Sequence, residues 1–265
     1  MAVEEISRPT DPDGTVDPGR PTGLDGAADA ERPTDPDSTA DARHVLDSVT
    51  WAALTGPHAR FAERHGRAVR YRPDVSPFAA LEDPADEQCW ADAAELVGPK
   101  GTVVLLPGPT RAPAGWSQVF GEQCSQFVAT SADAKPDPEA VLLGPDDLPE
   151  ILDLVARTKP GPFLPRTIEL GAYLGIRRGG TLAAIAGERQ QPPGWTEVSA
   201  VCTDPAFRGQ GLAARLVRAV VAGINERGDR AFLNVLSANA GAIRVYESLG
   251  FTARMHGWVT GFQLD

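Results

Sequence analysis

Apolar residues in the second half of the chain follow two periods, and each period predicts a different element. Residues 195–203 are rich in apolar and β-branched residues, which is typical of a buried strand. From Leu212 to Ile224, apolar residues recur every three or four positions, which predicts an amphipathic helix. Asp204-Pro205 ends the strand, because proline has no amide to donate to a sheet. A glycine-rich turn therefore joins a buried strand to a helix.

The remaining elements of residues 139–265 follow an order that predicts an α+β fold. We expect a strand at 141–143, a helix at 146–156, strands at 172–176, 181–187 and 231–236, a helix after Asn239 and a last strand at 258–263. Arg178-Gly179-Gly180 predicts a hairpin turn between the two middle strands. Residues 158–165 contain three prolines and a glycine, so we expect an irregular loop there.

Residues 43–135 show shorter patterns, which predict a mixed α/β companion region. The expected elements are helices at 45–51, 61–65 and 86–97 and strands at 68–71 and 102–106. Residues 131–138, with two prolines and no large apolar side chain, have a composition typical of a linker. We therefore expect a boundary between the region at 43–135 and a domain at 139–265.

The first 42 residues differ in composition from the rest of the 265-residue chain. They contain six prolines, four glycines and no aromatic residue. Eleven acidic residues against three arginines give them a charge of −8, which leaves −3 of the net −11 for the other residues. Such a segment buries too little apolar surface to offset the entropy of ordering, so we expect residues 1–42 to be disordered. An acidic solubilising tail and a docking tail for a basic partner both fit this composition.

Composition also limits the partners and the location of the protein. An acidic excess argues against nucleic acid as a partner. The N-terminus lacks the basic start and apolar core of a signal peptide, and no apolar run approaches the roughly 18 residues of a membrane span. We therefore expect a cytoplasmic protein that binds neither nucleic acid nor membrane. The three cysteines and four histidines show no metal-ligand spacing, so we expect no metal site.

The turn at residues 208–213 has the features of a phosphate-binding site. A helix N-terminus presents unpaired amides and the positive end of a dipole, and Gly209 and Gly211 let a ligand approach the backbone. Gly209-x-Gly211-x-x-Ala214 also satisfies the dinucleotide fingerprint. That fold requires a glycine directly after the strand and a carboxylate at the end of the next strand, which here ends in Ser237. We therefore favour another kind of phosphate-binding fold.

Two motifs resemble those of the GNAT superfamily of N-acetyltransferases. Arg208-x-x-Gly211-x-Ala213 is similar to the coenzyme A pyrophosphate loop of that family. Residues 239–251 resemble the family's element of Asn, Ala, Tyr and Gly-Phe, at the family's order and distance. The resemblance covers about residues 141–265. It implies the GNAT fold, a mixed and mostly antiparallel sheet flanked by helices, with residues 43–135 as a companion region.

The resemblance implies acetyl-coenzyme A as a co-substrate, bound in a cleft where two central strands splay apart. Val201 and Thr203 would offer main-chain groups to the acetyl and pantetheine portions, and Asn239 would contact the pantetheine or phosphate arm. The pyrophosphate would be held, mainly by main-chain amides, at Arg208, Gly209, Gln210, Gly211, Leu212 and Ala213.

The same resemblance suggests two catalytic side chains. An amine of pKa about 10 must lose a proton before it attacks a thioester, and a departing thiolate of pKa about 8.5 needs a proton. Tyr246 stands where the family has its general acid, although a tyrosine that only packs on an amphipathic helix also fits. Glu197 stands where some members carry a glutamate base. Other members use a chain of waters, and a surface carboxylate at a strand end fits this position equally.

Together these features predict an N-acetyltransferase that moves the acetyl group of acetyl-coenzyme A to an amine by direct attack in a ternary complex. The alternative is a non-catalytic module that binds or senses acyl-coenzyme A. We expect residues 158–169 to shape the acceptor site, where Glu169 or Asp204 could attract a cation. The sequence leaves open whether the acceptor is a small molecule or a peptide, and what the oligomeric state is.

Overall fold

A computed structural model describes residues 44–265, and the disorder predicted for residues 1–42 lies outside them. The strands are β1 (Ala62–His65), β2 (Ala68–Tyr71), β3 (Phe78–Leu81), β4 (Thr102–Leu105), β5 (Trp116–Ala129), β6 (Val141–Leu142), β7 (Tyr173–Arg178), β8 (Thr181–Glu188), β9 (Trp195–Thr203), β10 (Arg230–Leu236) and β11 (Phe251–Leu264). The helices are α1 (Val49–Leu54), α2 (Glu87–Val97), α3 (Leu148–Thr158), α4 (Leu212–Glu226) and α5 (Ala240–Ser248). Short 3₁₀ turns lie at Val45–Ser48, Ala59–Phe61, Pro145–Asp147, Thr167–Leu170 and Pro205–Phe207.

The described strands form one sheet in the order β1-β2-β3-β4-β11-β5-β10-β9-β8-β7-β6. Neighbouring strands are antiparallel except for two parallel pairs, β3 with β4 and β10 with β9. Helices α3 and α4 pack on opposite faces of this sheet. Ala184 and Ala186 of β8 belong to the apolar cluster under α4, whereas Ile185 between them packs with Ile151 and Leu154 of α3. The mixed, mostly antiparallel sheet with flanking helices confirms the predicted α+β class.

Strand β5 is inserted between β10 and β11, so the region at 43–135 contributes a central strand to the sheet. Strands from both sides of the linker predicted at residues 131–138 therefore belong to the same sheet. The division into two domains stays a prediction. No strand was predicted here because its buried positions include polar residues. Gln126 is 2% exposed and donates to the Leu46 carbonyl at 3.1 Å, and Ser125 lies 2.8 Å from Nδ1 of His256.

Most helices and strands lie close to where the sequence pattern predicts them, with three exceptions. Residues 61–65 were predicted as a helix, but strand β1 occupies most of them and pairs with β2 from Ala62↔Tyr71 to His65↔Ala68. The two-residue turn between these strands has Gly66 at φ +51°, a conformation that favours glycine. The pairing therefore overrides the local helix propensity of this segment. The other exceptions are β3 and β5, which were not predicted.

A buried histidine makes stability depend on pH. The His58 ring is fully buried with Nδ1 at 2.9 Å from the Tyr71 hydroxyl, and burial together with the charge of Arg60 lowers its pKa from 6.5 to about 4. Because the unfolded chain binds this proton more readily, the free energy of unfolding should fall as pH drops from about 6.5 towards 4. The expected loss is up to about 3 kcal/mol. Urea unfolding between pH 7 and pH 4.5 measures it. His58→Gln keeps a hydrogen-bonding group but cannot titrate, and an equally steep pH dependence in this variant would contradict the assignment.

Candidate active site

The centre of the sheet opens into a cleft because β9 and β10 pair only at their first residues. The pairs are Arg230↔Trp195, Ala231↔Thr196 and Phe232↔Glu197. Beyond Glu197 the two strands separate, and residues 233–236 of β10 pair only with β5. The facing edges of both strands are left with main-chain groups that no strand satisfies. A ligand that lies between the strands can therefore hydrogen-bond to the backbone.

A bulge in β9 turns the backbone of Val201 towards this cleft. The register with β8 advances three residues on β9, from Ser199 to Cys202, while it advances two on β8. Ala200 in between has φ +53°, which is unusual for a residue with a side chain. After the bulge the Asp204 amide donates to the Ala183 carbonyl on β8, so the main-chain groups of Val201 and Thr203 point to the opposite edge. Both of these predicted residues therefore line the cleft.

The glycine turn lies at the N-terminus of α4, directly after β9 and its 3₁₀ turn. Gly211 precedes the helix at φ +71°, and Gly209 has φ +76°. A side chain added at either glycine would meet no atom within 4 Å, so the turn opens to solvent. Gly211 has no side chain to cap the helix, so the amides of Leu212 and Ala213 lack an intrahelical acceptor. Arg208 and Gln210 are exposed in the same turn. The predicted pyrophosphate residues are thus contiguous, and all but Leu212, which is buried in the core under α4, are at least partly exposed.

Asn239 begins α5, where the chain leaves the free end of β10. Its side-chain oxygen accepts the Ala242 amide at 3.1 Å and caps the helix, as the sequence predicts. The residue is exposed, which leaves its amide nitrogen accessible to a ligand. Gly250 follows the helix at φ +85° and allows the chain to turn into β11.

Tyr246 lies on α5, partly buried, with its ring 6.1 Å from that of Phe251 in an edge-on contact. Burial, and secondarily the neighbouring Cys202 thiol, raise the pKa of its phenol to about 12. Tyr246 packs against the apolar cluster to which Val198 of β9, the strand that lines the cleft, contributes. A phenol with this pKa keeps its proton at neutral pH, as a general acid must. Burial also raises the pKa of the Cys202 thiol to about 11, so this cysteine is a protonated packing residue.

Glu197 belongs to the last residue pair before β9 and β10 separate, the vertex of the cleft. Its side chain is fully buried, which disfavours the predicted role as a base. Its carboxylate accepts two hydrogen bonds from Arg189, at 2.7 and 2.9 Å, and one from Asn234 Nδ2 at 2.8 Å. Burial alone would raise the pKa of this carboxyl, but the Arg189 charge and these hydrogen bonds hold it below its usual range. A carboxylate so fully engaged has little capacity to accept a proton from an amine.

Arg189 and Asn234 were missed as site residues by sequence reasoning. Arg189 follows β8 and Asn234 lies in the middle of β10, and neither belongs to a motif. The one available signal is the presence of polar residues inside otherwise apolar strands, which indicates a buried network.

The two carboxylates expected to attract a cationic acceptor are already paired. Arg166 binds Glu169 through Nε at 2.7 Å and Nη2 at 2.8 Å, and it also reaches Asp74. Asp204 accepts the Ala206 amide and forms an ion pair with Arg157. In the part of the chain that the structure describes, neither is available as a free anionic site.

Residues 44–265 contain no group of three or more acidic, histidine or cysteine side chains placed to hold a metal ion. In the same residues no helix combines the length and apolar character needed to cross a membrane.

Comparison with known proteins identifies similar folds and sequences. The family described as FR47-like protein matches residues 173–259. A solved structure from Novosphingobium aromaticivorans, assigned to the GNAT family of acetyltransferases, is 39% identical with a TM-score of 0.77 and covers 84% of this chain and 100% of its own. A GCN5-related N-acetyltransferase from Kribbella flavida, 19% identical, covers 82% of this chain and 95% of its own with a TM-score of 0.55, which shows the fold alone.

Two curated relatives match shorter segments. The N-alpha-acetyltransferase RimI of Mycobacterium tuberculosis is 38% identical over 82 residues, which are 30% of this chain and 51% of that protein. A mycothiol acetyltransferase of Thermobispora bispora is 49% identical over 57 residues, or 21% of this chain and 19% of that protein. The chain thus covers about half the length of the first relative and a fifth of the second.

The buried pair at the vertex of the cleft predicts a large stability effect. Glu197→Gln removes the charge that compensates Arg189, whose side chain is 9% exposed, and should cost about 3–5 kcal/mol in urea unfolding. Replacing both partners, as Arg189→Met with Glu197→Gln, should recover a large part of that loss because no charge is left unpaired. Glu226→Gln, an exposed change on α4, is the control and should stay within about 0.5 kcal/mol. A stable Glu197→Gln protein that has lost only activity would instead support the base role.

Proposed function

The chain belongs to the GNAT family of acetyltransferases, and from that premise we propose that it transfers the acetyl group of acetyl-coenzyme A to a primary amine. The observation that carries this proposal is the cleft between β9 and β10, with the bulge at Ala200 on one side and the free N-terminus of α4 at its end. These two features supply what a thioester with a pyrophosphate arm requires. The bulge offers main-chain groups beside the reacting carbonyl, and the N-terminus of α4 offers amides for the phosphates.

Acetyl-coenzyme A would bind with its pyrophosphate against the amides of residues 209–213 and its pantetheine arm along β9. The positive φ angles of Gly209 and Gly211 and the open space around both support this placement. Val201 and Thr203 would hydrogen-bond to the thioester end, and Asn239 to the arm. Arg208 would add a charge to the phosphate site, although the amides can form that site without it.

The transfer would proceed by direct attack, with all protons accounted for. The acceptor ammonium loses one proton to water, and the neutral amine attacks the thioester carbonyl carbon. The new C–N bond forms while the carbonyl oxygen is held by the Val201 amide. The C–S bond then breaks, and the departing thiolate takes the proton of the Tyr246 phenol. The remaining excess proton of the amine passes through water to the phenolate, so one proton is released for each acetyl group transferred.

Water is a better candidate than Glu197 for the base. The hydrogen bonds from Arg189 and Asn234 occupy the Glu197 carboxylate, and its pKa lies below the usual range. We propose that Glu197 acts by position, since it fixes the point at which β9 and β10 separate.

A binding module without catalysis is the second candidate, because the glycine turn would serve it equally. The phenol of Tyr246 favours the enzyme. It packs against the apolar cluster that includes Val198 of β9, remains protonated at neutral pH, and makes no hydrogen bond within residues 44–265 that would commit its proton elsewhere.

The names of the relatives indicate an amine acceptor but not which amine. One curated relative is named for N-alpha acetylation and the other for mycothiol. We propose a primary amine, either the α-amine of a peptide or an amine of a small molecule. The cytoplasmic location stays a prediction of the sequence.

Gly211→Asp tests the coenzyme site. Acetyl-coenzyme A at 100 times its Kd should stabilise the native protein by about 2.7 kcal/mol and raise its melting temperature, whereas NAD should not. The aspartate would place a side chain and a negative charge where the pyrophosphate lies, so the shift should disappear. Gly228→Asp is the matched control, because Gly228 also has positive φ and open surroundings but follows the other end of α4. Loss of the shift in the control, or an equal shift with NAD, would contradict the assignment.

Tyr246→Phe tests the acid. The change keeps the ring against Phe251 and deletes only the hydroxyl, so folding and coenzyme affinity should change little. The turnover number should fall by roughly 10² to 10⁴, the usual contribution of a positioned acid. Steady-state rates with one accepted amine, together with the coenzyme Kd, measure both quantities. Unchanged turnover at unchanged affinity would assign Tyr246 to packing alone.

A further inference from the structure

An arginine outside both sequence motifs forms an ion pair at the entrance to the glycine turn. Arg157 lies in the last turn of α3 and donates through Nη1 to the carboxylate of Asp204, the residue that follows β9. Its Nε donates to Asp153, one helical turn earlier, at 2.9 Å. Because α3 and α4 pack on opposite faces of the sheet, this ion pair connects the chain before the glycine turn to the other helical layer.

Asp204 shapes the backbone that leads into the glycine turn. Its second carboxylate oxygen accepts the Ala206 amide at 2.8 Å, and its carbonyl accepts the Phe207 amide at 2.9 Å. These two bonds close the 3₁₀ turn at Pro205–Phe207, which Arg208 follows directly. A 3₁₀ turn rises only about 2 Å per residue, so the backbones of Asp204 and Arg208 lie within roughly 10 Å of each other. The long Arg208 side chain can therefore reach the Asp204 carboxylate.

The charge of Asp204 lies close to the proposed phosphate site and is shielded from water. The side chain is 12% exposed. The Ala206 hydrogen bond, followed by that of Arg157, holds the pKa of its carboxyl below the usual range, so the group is a carboxylate at neutral pH. Like charges repel within about one Debye length, roughly 10 Å at 0.1 M salt. An uncompensated Asp204 would therefore oppose the binding of a pyrophosphate.

Arg157 and Arg208 are both close to this carboxylate, but only Arg157 is committed to it. The Arg208 side chain is exposed and forms no hydrogen bond or ion pair within residues 44–265. Its guanidinium can therefore turn to a phosphate. The turn needs the Asp204 oxygen that holds the Ala206 amide, whereas the negative charge that comes with this oxygen disfavours the proposed ligand. Arg157 resolves this conflict by neutralising the charge from outside the turn.

We propose that Arg157 is a positioning residue for the coenzyme: it neutralises Asp204 and thereby leaves Arg208 available to the pyrophosphate. Without Arg157, the carboxylate repels the phosphates and captures the Arg208 guanidinium. Arg157 acts through the charge of the site and does not contact the coenzyme itself. This inference rests on the proposed function, since it assumes the pyrophosphate site at residues 208–213.

Two single substitutions with opposite effects test this role by calorimetric titration with acetyl-coenzyme A. Arg157→Gln leaves Asp204 uncompensated and should raise the Kd by about 5- to 20-fold at about 20 mM salt. The increase should shrink to about 2-fold at about 1 M salt, where the Debye length is about 3 Å. Asp204→Asn keeps an oxygen for the Ala206 amide and removes the charge, so the Kd should stay the same or fall. A pair with only a structural role predicts that both substitutions raise the Kd alike at either salt concentration.

Four controls isolate the charge. Arg157→Gln combined with Asp204→Asn should return the Kd to within about 2-fold of the wild-type value, and Arg157→Lys, which keeps the charge, to within about 3-fold. Arg177→Gln is the matched surface change and should leave the Kd unaltered. The Arg177 side chain is 32% exposed against 40% for Arg157, and it pairs with Asp147 and Glu150 at the opposite end of α3. S-acetylpantetheine has no phosphate, so it should bind the wild-type protein and Arg157→Gln equally.

The binding measurements separate this inference from the acetyl transfer itself. Opposite effects of the two single changes, without transfer to any amine, would keep the role of Arg157 and overturn the enzyme. Transfer together with an equal loss of affinity in both variants, or with no change in either, would overturn this role and keep the enzyme. If Arg157→Gln does not fold, Asp204→Asn decides alone, because a raised Kd contradicts the charge argument. A wild-type protein that binds no acetyl-coenzyme A would overturn both.

Discussion

The active site depends on one buried charge, the carboxylate of Glu197. It lies at the last residue pair between β9 and β10, where Arg189, just after β8, neutralises it and Asn234 of β10 donates a hydrogen bond to it. An unpaired charge at this depth would cost several kcal/mol, so the three side chains must be fixed together. Because Asn234 bridges from β10 to Glu197 on β9, the network holds the strands in contact on one side of this point. On the other side they are free to separate.

The separation itself creates the binding surface. A continuous ladder would satisfy every amide and carbonyl of β9, and none would be left for a ligand. Here the ladder stops after Glu197, and the bulge at Ala200 reverses which edge Val201 presents. Unsatisfied main-chain groups are tolerated only where water or a substrate can reach them. The open cleft and the free N-terminus of α4 therefore share one property: in both, an interruption of regular structure leaves main-chain hydrogen-bonding groups for the proposed coenzyme.

The parts of this site that are local in sequence could be predicted, and those that depend on distant pairing could not. The turn at Gly211 and the cap at Asn239 follow from residues a few positions apart, because helix ends have local chemistry. The ion pair of Glu197 could not be predicted, because the local sequence around a glutamate in a strand is the same whether the carboxylate binds water or Arg189. Strand β5 was not predicted for a related reason. A polar residue such as Gln126 favours a loop in a sequence pattern, but in the fold it is buried and hydrogen-bonds to Leu46 and Arg254.

This division also bears on the relatives, which share acetyl transfer but are named for different acceptors. The segment at 173–259 that matches the FR47-like family contains the bulge, the glycine turn and Tyr246. Strand β5 lies outside that segment and reaches the centre of the sheet because it is inserted between β10 and β11. The proposed coenzyme contacts are main-chain groups that many sequences can supply, whereas β5 presents side chains from the N-terminal half of the chain. Substitutions on β5 can therefore alter the centre of the sheet while the main-chain groups of β9 and the N-terminus of α4 stay the same.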